Sequence, residues 1–176
     1  MFEKIRKMKN QKGFTLVELI VVLVILAILA AMLVPALTGY IDKANNEKII
    51  ATTRQVVMAA QTEVSEAYAS KTLKAAKAIT IPGADGKQDA GEEISGKSIV
   101  ELAEVGKINS ATSKYELKNG ITKIEITYTA EGHVSQVVLE QGGKTCYYVE
   151  TGAEPTVSGF TKKYNSGNYY VYVKTA

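Results

Sequence analysis

The chain has 176 residues, of which 46% are hydrophobic and 22% are charged, and its formal net charge is +3. This composition is that of an ordinary folded domain, and it excludes collagen-like and wholly disordered chains. Five of the 21 basic residues lie in the first twelve positions, which leaves 16 basic and 17 acidic residues after them. The body of the chain is therefore close to neutral, and its charge does not predict nucleic-acid binding.

The N-terminal segment combines a basic leader with an apolar run. The leader ends at Gly13, and the run from Leu19 to Leu37 contains 13 Leu, Ile and Val residues and no charge. As a helix, the segment from Phe14 to Leu37 would be about 36 Å long, which is enough to cross the roughly 30 Å hydrocarbon core of a bilayer.

One carboxylate, Glu18, lies at the start of this segment. The thirteen aliphatic residues favour insertion by about −6 kcal/mol, whereas a charge even at the bilayer centre costs about 3 kcal/mol. Insertion is therefore favoured, and the basic leader predicts a cytoplasmic N-terminus.

Residues 12–22, KGFTLVELIVV, resemble the type IV prepilin signature, in which a short basic leader ends in glycine, an aromatic residue follows and a glutamate comes four residues later. The resemblance implies cleavage after Gly13 by a prepilin peptidase and N-methylation of Phe14. It further implies that the apolar helix is retained and that copies of the chain polymerise into a pilus with the help of assembly machinery that includes a separate ATPase.

A physical role for Glu18 follows if such helices leave the bilayer and pack together. The Phe14 amine and the Glu18 carboxylate would both become buried, and buried charges are very costly unless they are paired. Glu18 of one subunit would then neutralise the Phe14 amine of a neighbour and fix the axial register. The alternative is that Glu18 only stabilises the first turn of its own helix, where an acidic residue is favourable in any case.

Other classes of protein remain open at this point. A secretory signal peptide fits the basic leader, but its apolar region is usually 7–15 residues long, shorter than the run seen here. A pseudopilin of a type II secretion or competence system would share the same N-terminus. A membrane-anchored extracellular domain unrelated to pili is a third alternative.

A second helical stretch follows from Tyr40 to Ala69. Its apolar and small residues recur in steps of three and four and predict one buried stripe. The stripe comprises Ile49, Thr53, Val56, Val57, Ala60, Val64, Ala67 and Tyr68. Pro35 and Gly39 predict a kink or a locally melted stretch between the two halves. The two stretches otherwise form one helix of roughly 55 residues, whose apolar half has no partner within the chain.

The region from Lys71 to Lys114 has no clear periodicity and is predicted to be irregular. Residues 81–86 indicate turns, and Ser98–Val105 indicates a short helix that stops at Gly106. Four acidic residues here lack the ordered spacing of a calcium loop, so we predict no metal site. They are Asp85, Asp89, Glu92 and Glu93.

The C-terminal third has alternating, β-rich patterns. Strands are predicted around Ile124–Tyr128, His133–Glu140, Lys144–Val149 and Tyr169–Val173, with turns at 131–132 and 141–143. A loop is expected from Glu150 to Lys163. Pilins often close such a loop with a disulfide, but Cys146 is the one cysteine, so packing or the last strand must hold this loop.

Few residues suggest further chemistry. Cys146 is predicted to be a buried strand residue, and His133 lies beside no visible catalytic constellation. Six of the ten tyrosines lie in the last thirty residues, where strand packing explains them first and a sticky surface is the alternative. No enzyme activity and no cofactor is predicted. The single cysteine also fits a Gram-positive host.

Together these patterns predict an α+β protein. Residues 1–13 are expected to be a removed leader, residues 14–39 a transmembrane and polymerisation helix that projects from the head, and residues 40–176 a pilin-like head. In the head, the second half of the helix packs on an antiparallel sheet. The expected functional residues are Gly13 and Phe14 for processing and Glu18 and Pro35 for assembly. The chain is expected in the cytoplasmic membrane before assembly and in an extracellular pilus afterwards, with roles in adhesion, motility, aggregation or DNA uptake.

Overall fold

The computed structural model describes residues 13–82 and 93–174. The leader up to residue 12 and the acidic residues Asp85, Asp89 and Glu92 lie outside this range. The chain divides into two compact units, with the boundary between Lys43 and Ala44.

One long helix, α1, runs from Leu16 to Ala69. Its 54 residues agree with the predicted length, and Pro35 lies inside it. The helix continues through Pro35 and Gly39, so the locally melted stretch predicted there is absent from the single chain. A proline removes one backbone hydrogen bond, whereas the flanking apolar residues favour helix on both sides.

The second unit is an α+β head. Strands β1 (Lys77–Ile81), β4 (Ile121–Tyr128), β5 (Val134–Gln141), β6 (Lys144–Val149), β7 (Phe160–Ser166) and β8 (Tyr169–Lys174) form one antiparallel sheet in the order β1-β4-β5-β6-β8-β7. A short helix, α2 (Gly96–Leu102), precedes a separate hairpin of β2 (Gly106–Asn109) and β3 (Lys114–Leu117).

The core lies between the C-terminal part of α1 and one face of the sheet. Six of the eight residues in the predicted helix stripe are buried, as are the inward residues of the central strands. On the sheet side these are Ile124, Ile126, Val137, Leu139, Cys146 and Val171. The alternation in β4 and β5 sends their remaining side chains to the other face of the sheet, as the sequence predicted.

Two of the predicted stripe residues lie at the margin of the core rather than in it. Val57 is half-buried, and Tyr68 is 55% exposed. Tyr68 lies against the turn between β4 and β5, where a side chain on Gly132 would come within 2.9 Å of its ring. The periodicity placed both residues correctly on the helix but did not distinguish the edge of the buried face from its centre.

The region predicted to be irregular contains β1, α2, β2 and the start of β3. Strand β1 has five residues, of which only Ile79 and Ile81 are buried. Its alternation is therefore too short to be recognised in the sequence. The short helix begins earlier than predicted because the hydroxyl of Ser95 caps it, accepting a hydrogen bond from the Ser98 amide at 3.2 Å.

Gly106 is not a helix stop, which corrects the prediction. The helix ends at Leu102, and Glu104 carries the positive φ of 57° that reverses the chain. Gly106 instead begins β2, where a Cβ would lie 2.7 Å from the backbone oxygen of Glu116 on β3. Close strand approach, rather than helix termination, therefore requires this glycine.

The predicted loop from Glu150 to Lys163 also needs correction, because β7 begins within it at Phe160. This strand lies at the sheet edge, and only Phe160, Tyr164 and Ser166 are partly buried. Its sequence therefore lacks the alternation of a half-buried strand.

The turn between β4 and β5 is fastened to α1 by Gln61. Its side-chain Nε2 donates to the Gly132 carbonyl at 2.8 Å, and its Oε1 accepts from the Val134 amide at 2.9 Å. Since both ends of the amide are used, this turn has a fixed position against the helix.

We expect Gly132→Ala to lower the free energy of unfolding of the head by about 2 kcal/mol or more. Gly132 has a φ of 88°, and its new Cβ would meet Tyr68. Gly142→Ala is the matched control, because Gly142 also has a positive φ, 57°, but has no atom within 4 Å of the added Cβ. The control is expected to cost only about 1 kcal/mol. Equal losses in urea unfolding would contradict the predicted contact.

Candidate processing and assembly site

The predicted cleavage position lies just outside α1. Gly13 and Phe14 precede the helix, and Phe14 is 83% exposed. A Cβ on Gly13 would meet no atom within 4 Å. The fold of the chain therefore does not require glycine at this position, and a requirement for it would have to come from an interaction with another protein.

The helix starts at Leu16 rather than Phe14 because Thr15 and Glu18 form a capping box. The Glu18 Oε2 accepts hydrogen bonds from the Thr15 amide and the Thr15 hydroxyl, both at 2.8 Å. In return, the Thr15 hydroxyl oxygen accepts from the Glu18 amide at 3.2 Å. Two backbone N–H groups of the first turn are thereby satisfied.

This box is the helix-stabilising role that was the alternative for Glu18. Thr15 was not singled out from the sequence, although the spacing Thr-x-x-Glu before an apolar run is the signal for such a box. Within the part of the chain that the structure describes, the Glu18 Oε1 accepts no hydrogen bond. Capping and pairing with a second chain are thus compatible.

The helix beyond Glu18 presents an uncharged, exposed surface. No charged residue occurs between Glu18 and Asp42, and every described residue from Gly13 to Asn45 is exposed. Exposing the twenty apolar side chains of this stretch to water would be unfavourable. The surface therefore requires lipid or other protein chains to cover it. By length and hydropathy, α1 qualifies as a helix that can cross a membrane.

Pro35 lies in this exposed part of the helix. The Thr38 hydroxyl donates to the Pro35 carbonyl at 2.9 Å, one turn further along. This back-bond adds a polar contact beside the proline but does not replace the hydrogen bond to the carbonyl of residue 31 that the proline removes. The structure brings Pro35 near none of Gly13, Phe14 and Glu18, since about 25 Å of helix separates it from Glu18.

The C-terminal loop is closed without a disulfide. The hydroxyl of Tyr170 donates to the Gly152 carbonyl at 2.5 Å, and that of Tyr172 donates to the Pro155 carbonyl at 2.9 Å. The last strand lies between β6 and β7 in the sheet. Tyrosine hydrogen bonds and the pairing of the last strand, which was one of the two predicted means, therefore hold the loop.

The clustered C-terminal tyrosines contribute to packing within the head. Tyr147 and Tyr172 meet edge to face with ring centroids 5.4 Å apart, and Tyr148 and Tyr169 lie 5.2 Å apart. The guanidinium of Arg54 lies 5.2 Å from the Tyr169 ring centroid. The hydroxyl of Tyr164 donates to the Glu47 carboxylate. These contacts join the C-terminal hairpin to the rest of the head.

The remaining candidates form no reactive site among the described residues. His133 Nδ1 lies 3.9 Å from a carboxylate oxygen of Glu150, and both side chains are largely exposed. No three His, Cys, Asp or Glu side chains in ranges 13–82 and 93–174 come close enough together to hold a metal ion.

Cys146 is fully buried in β6, as predicted, and burial raises the pKa of its thiol to about 11. The unfolded chain loses this proton near pH 9, whereas the folded chain retains it, so the stability from the buried thiol is complete below about pH 9 and is lost towards pH 11.

We therefore expect the free energy of unfolding to fall by about 2–3 kcal/mol more in the wild type than in Cys146→Ala between about pH 9 and 11. Every other ionisable group is the same in both chains, so the difference between them isolates the thiol. Parallel pH profiles from chemical denaturation would contradict the predicted burial.

Comparison with known families finds a match that covers residues 8–34. The matching family model describes the prokaryotic N-terminal methylation motif. The matched range contains Gly13, Phe14 and Glu18 and stops one residue before Pro35. No solved structure matches the chain. The motif supports a prepilin of the type IV pilin or pseudopilin kind, anchored in a membrane and processed by a prepilin peptidase. Proteins with it are structural rather than enzymatic.

Proposed function

We propose that the chain is the precursor of a type IV pilin, cleaved after Gly13, methylated on Phe14 and polymerised through the apolar part of α1 into an extracellular pilus. In this proposal residues 1–13 are the removed leader, residues 14–39 are the polymerisation helix and residues 40–176 are the head. One observation carries it: the exposed apolar stretch of α1 follows a glutamate that helps to cap the helix start and lies inside a methylation motif.

The position of the charges supports this order of events. Cleavage would remove the basic leader that holds the N-terminus in the cytosol and would leave the Phe14 amine and the Glu18 carboxylate. In a bundle of helices both groups lose water, and an intermolecular pair offsets the cost of burying them. A wrong axial offset leaves both unpaired.

Before assembly the chain would lie in the cytoplasmic membrane with its N-terminus in the cytoplasm. Its partners would be other copies of itself, a prepilin peptidase and assembly machinery with a separate ATPase. A Gram-positive host and a role as the major subunit belong to the same proposal, with adhesion, motility, aggregation or DNA uptake as its biological purpose. Pro35 would contribute to assembly by weakening the helix locally.

Electron microscopy with an antibody raised against residues 44–176 of the head tests this function. Long surface filaments labelled along their length are the expected result. Labelled protein confined to the cell envelope would instead favour the pseudopilin of a secretion or competence system. Labelling spread over the membrane in cells that lack the prepilin peptidase is the expected control.

A further inference from the structure

A polar pocket lies between α1 and two turns of the head. One turn, at Asn119 and Gly120, precedes β4, and the other, at Gly142 and Gly143, joins β5 to β6. The Gly142 amide donates to the Gly120 carbonyl at 3.2 Å and holds the two turns together. The pocket has a volume of about 280 Å³. Besides Ile49, its lining comprises Asn45, Lys48, Asn119, Gln141, Gly142 and Lys144. We call it the turn pocket.

The lining of the turn pocket contains two lysines, Lys48 and Lys144, and no acidic residue. The Lys144 Nζ donates to the Oδ1 of Asn46 at 2.6 Å, which fixes the position of this ammonium group. Within ranges 13–82 and 93–174, Lys48 forms no ion pair. The neighbouring Glu47 does not line the pocket, and its carboxylate accepts from the hydroxyl of Tyr164 on β7. The pocket therefore favours an anion.

Gln141 gives the turn pocket a buried polar side chain with one unused group. The residue is 7% exposed, and its Nε2 donates to the Asn119 carbonyl at 3.0 Å. Its Oε1 is buried and accepts no hydrogen bond from the part of the chain that the structure describes. A buried acceptor without a donor is unfavourable, and a hydroxyl group is a donor that can satisfy it. A ligand with a hydroxyl group as well as a negative charge is therefore favoured.

The size of the turn pocket narrows the class of ligand further. Its volume is below the roughly 300–1,000 Å³ of pockets that hold drug-sized molecules, so it admits one small group. Lysine ammonium groups bind phosphate as point charges, and the side-chain amides of Asn45 and Asn119 can donate to further phosphate oxygens. We propose that the turn pocket binds a phosphate ester of a small polyol, of which glycerol phosphate is the simplest example. The phosphate faces the two lysines, and a hydroxyl group supplies the donor that Gln141 lacks.

Two sources can supply this chemistry. Asn45 follows Asp42, the first charged residue after the apolar stretch of α1, by three positions. Charged residues follow an apolar stretch where the hydrocarbon core gives way to phosphate-bearing headgroups, so an anionic phospholipid such as phosphatidylglycerol is one source. Glycerol phosphate in solution is the other. The inference goes beyond the proposed function, because one chain forms the whole pocket and needs no filament in order to bind.

NMR spectroscopy of the full chain tests the site in nanodiscs of phosphatidylcholine, whose headgroup is zwitterionic and has no hydroxyl group. We expect the backbone amide signals of Asn119 and Gly142 to shift saturably with added glycerol 3-phosphate and to stay in place with added glycerol. In nanodiscs of phosphatidylglycerol, the signals are shifted from the start if the lipid headgroup fills the pocket. They still respond to added glycerol 3-phosphate if the soluble ester is the ligand. Absence of a saturable shift in both kinds of nanodisc would overturn the proposal.

Removal of one lysine separates the pocket from a general attraction of anions. Lys48→Gln is expected to weaken the binding of glycerol 3-phosphate about tenfold, because a charged hydrogen-bond partner is lost. Lys163→Gln is the matched control, since it removes the same charge from an exposed position on β7, and its affinity should stay within about twofold of the wild type. Equal weakening in the two variants would overturn a specific site.

A second pair of variants changes the charge of an amide side chain. Asn45→Asp puts a carboxylate of the same shape into the lining, and repulsion of the phosphate should lower the affinity by at least about tenfold. The melting temperature should stay unchanged, since Asn45 is exposed. Gln55→Glu makes the same kind of change at an exposed position of α1 outside the lining and should bind like the wild type. Wild-type affinity in Asn45→Asp would overturn the proposal.

Discussion

Glu18→Gln is expected to yield a processed, membrane-inserted chain that forms few or no filaments. Glutamine at this position can still complete the capping box with Thr15, because its side-chain oxygen accepts the same hydrogen bonds. The substitution therefore keeps the helix start and removes only the negative charge. If Glu18 neutralises the Phe14 amine of a neighbour, that amine is left buried and unpaired, at a cost of about 3–5 kcal/mol for each subunit added.

The matched variant is Thr15→Val, which breaks the box and keeps the charge. Loss of a cap costs only about 1 kcal/mol, so filament yield should fall far less than in Glu18→Gln. Filament yield is measured by shearing and quantifying the head protein, and insertion by fractionation of membranes. Equal yields from Glu18→Gln and the wild type would restrict Glu18 to its capping role.

Gly13→Val is expected to stop processing altogether while leaving the head intact. An added side chain at Gly13 meets no atom of its own chain within 4 Å, so any effect must arise in another protein, for which we propose the prepilin peptidase. The uncleaved leader would keep its five basic charges in the cytosol, and the Phe14 amine would not exist. Both changes prevent the proposed assembly.

Mass spectrometry of membrane protein measures this outcome directly. The variant should have the mass of the whole chain and no filaments, with the melting temperature of its head equal to that of the wild type. Gly39→Val is the control, because a Cβ there also meets no atom within 4 Å, so cleavage should be normal. A cleaved Gly13→Val chain would show that glycine is not what the processing enzyme selects.

The strongly periodic parts of this fold could be predicted from the sequence. The apolar run of α1 and the alternation around Ile124 and Ile126 each contain many residues that follow one hydrophobic pattern. A few residues that depart from the pattern therefore do not obscure it. The single long helix was predicted for the same reason. The buried position of Cys146 followed from its place in a predicted strand.

The remaining elements depend on contacts that no local pattern contains. Strands β1 and β7 lie at the sheet edges, where one side of the strand has no partner and few side chains are buried. The prediction that Gly106 ends a helix was wrong, because helix termination and the close approach of β3 both favour glycine. The hydrogen bonds of Gln61 join residues more than seventy positions apart, which sequence spacing does not reveal.

At the candidate site, the sequence predicted roles for Gly13, Phe14 and Glu18 but did not predict the hydrogen-bond partner of Glu18. The sequence signal for Thr15 is only its spacing, three positions before the glutamate, whereas the charge of Glu18 is evident from that residue alone. The bond from Thr15 gives the carboxylate a defined position at the start of the helix. In the proposed assembly, that position places the carboxylate where it can meet the Phe14 amine of a second chain.

The most direct measurement is the intact mass and N-terminal residue of the chain sheared from cell surfaces in filaments. The account predicts a chain that begins at Phe14 with a methylated amine and retains the apolar helix. A surface chain that still begins at Met1, or one that begins near residue 37 and has lost that helix, would contradict it.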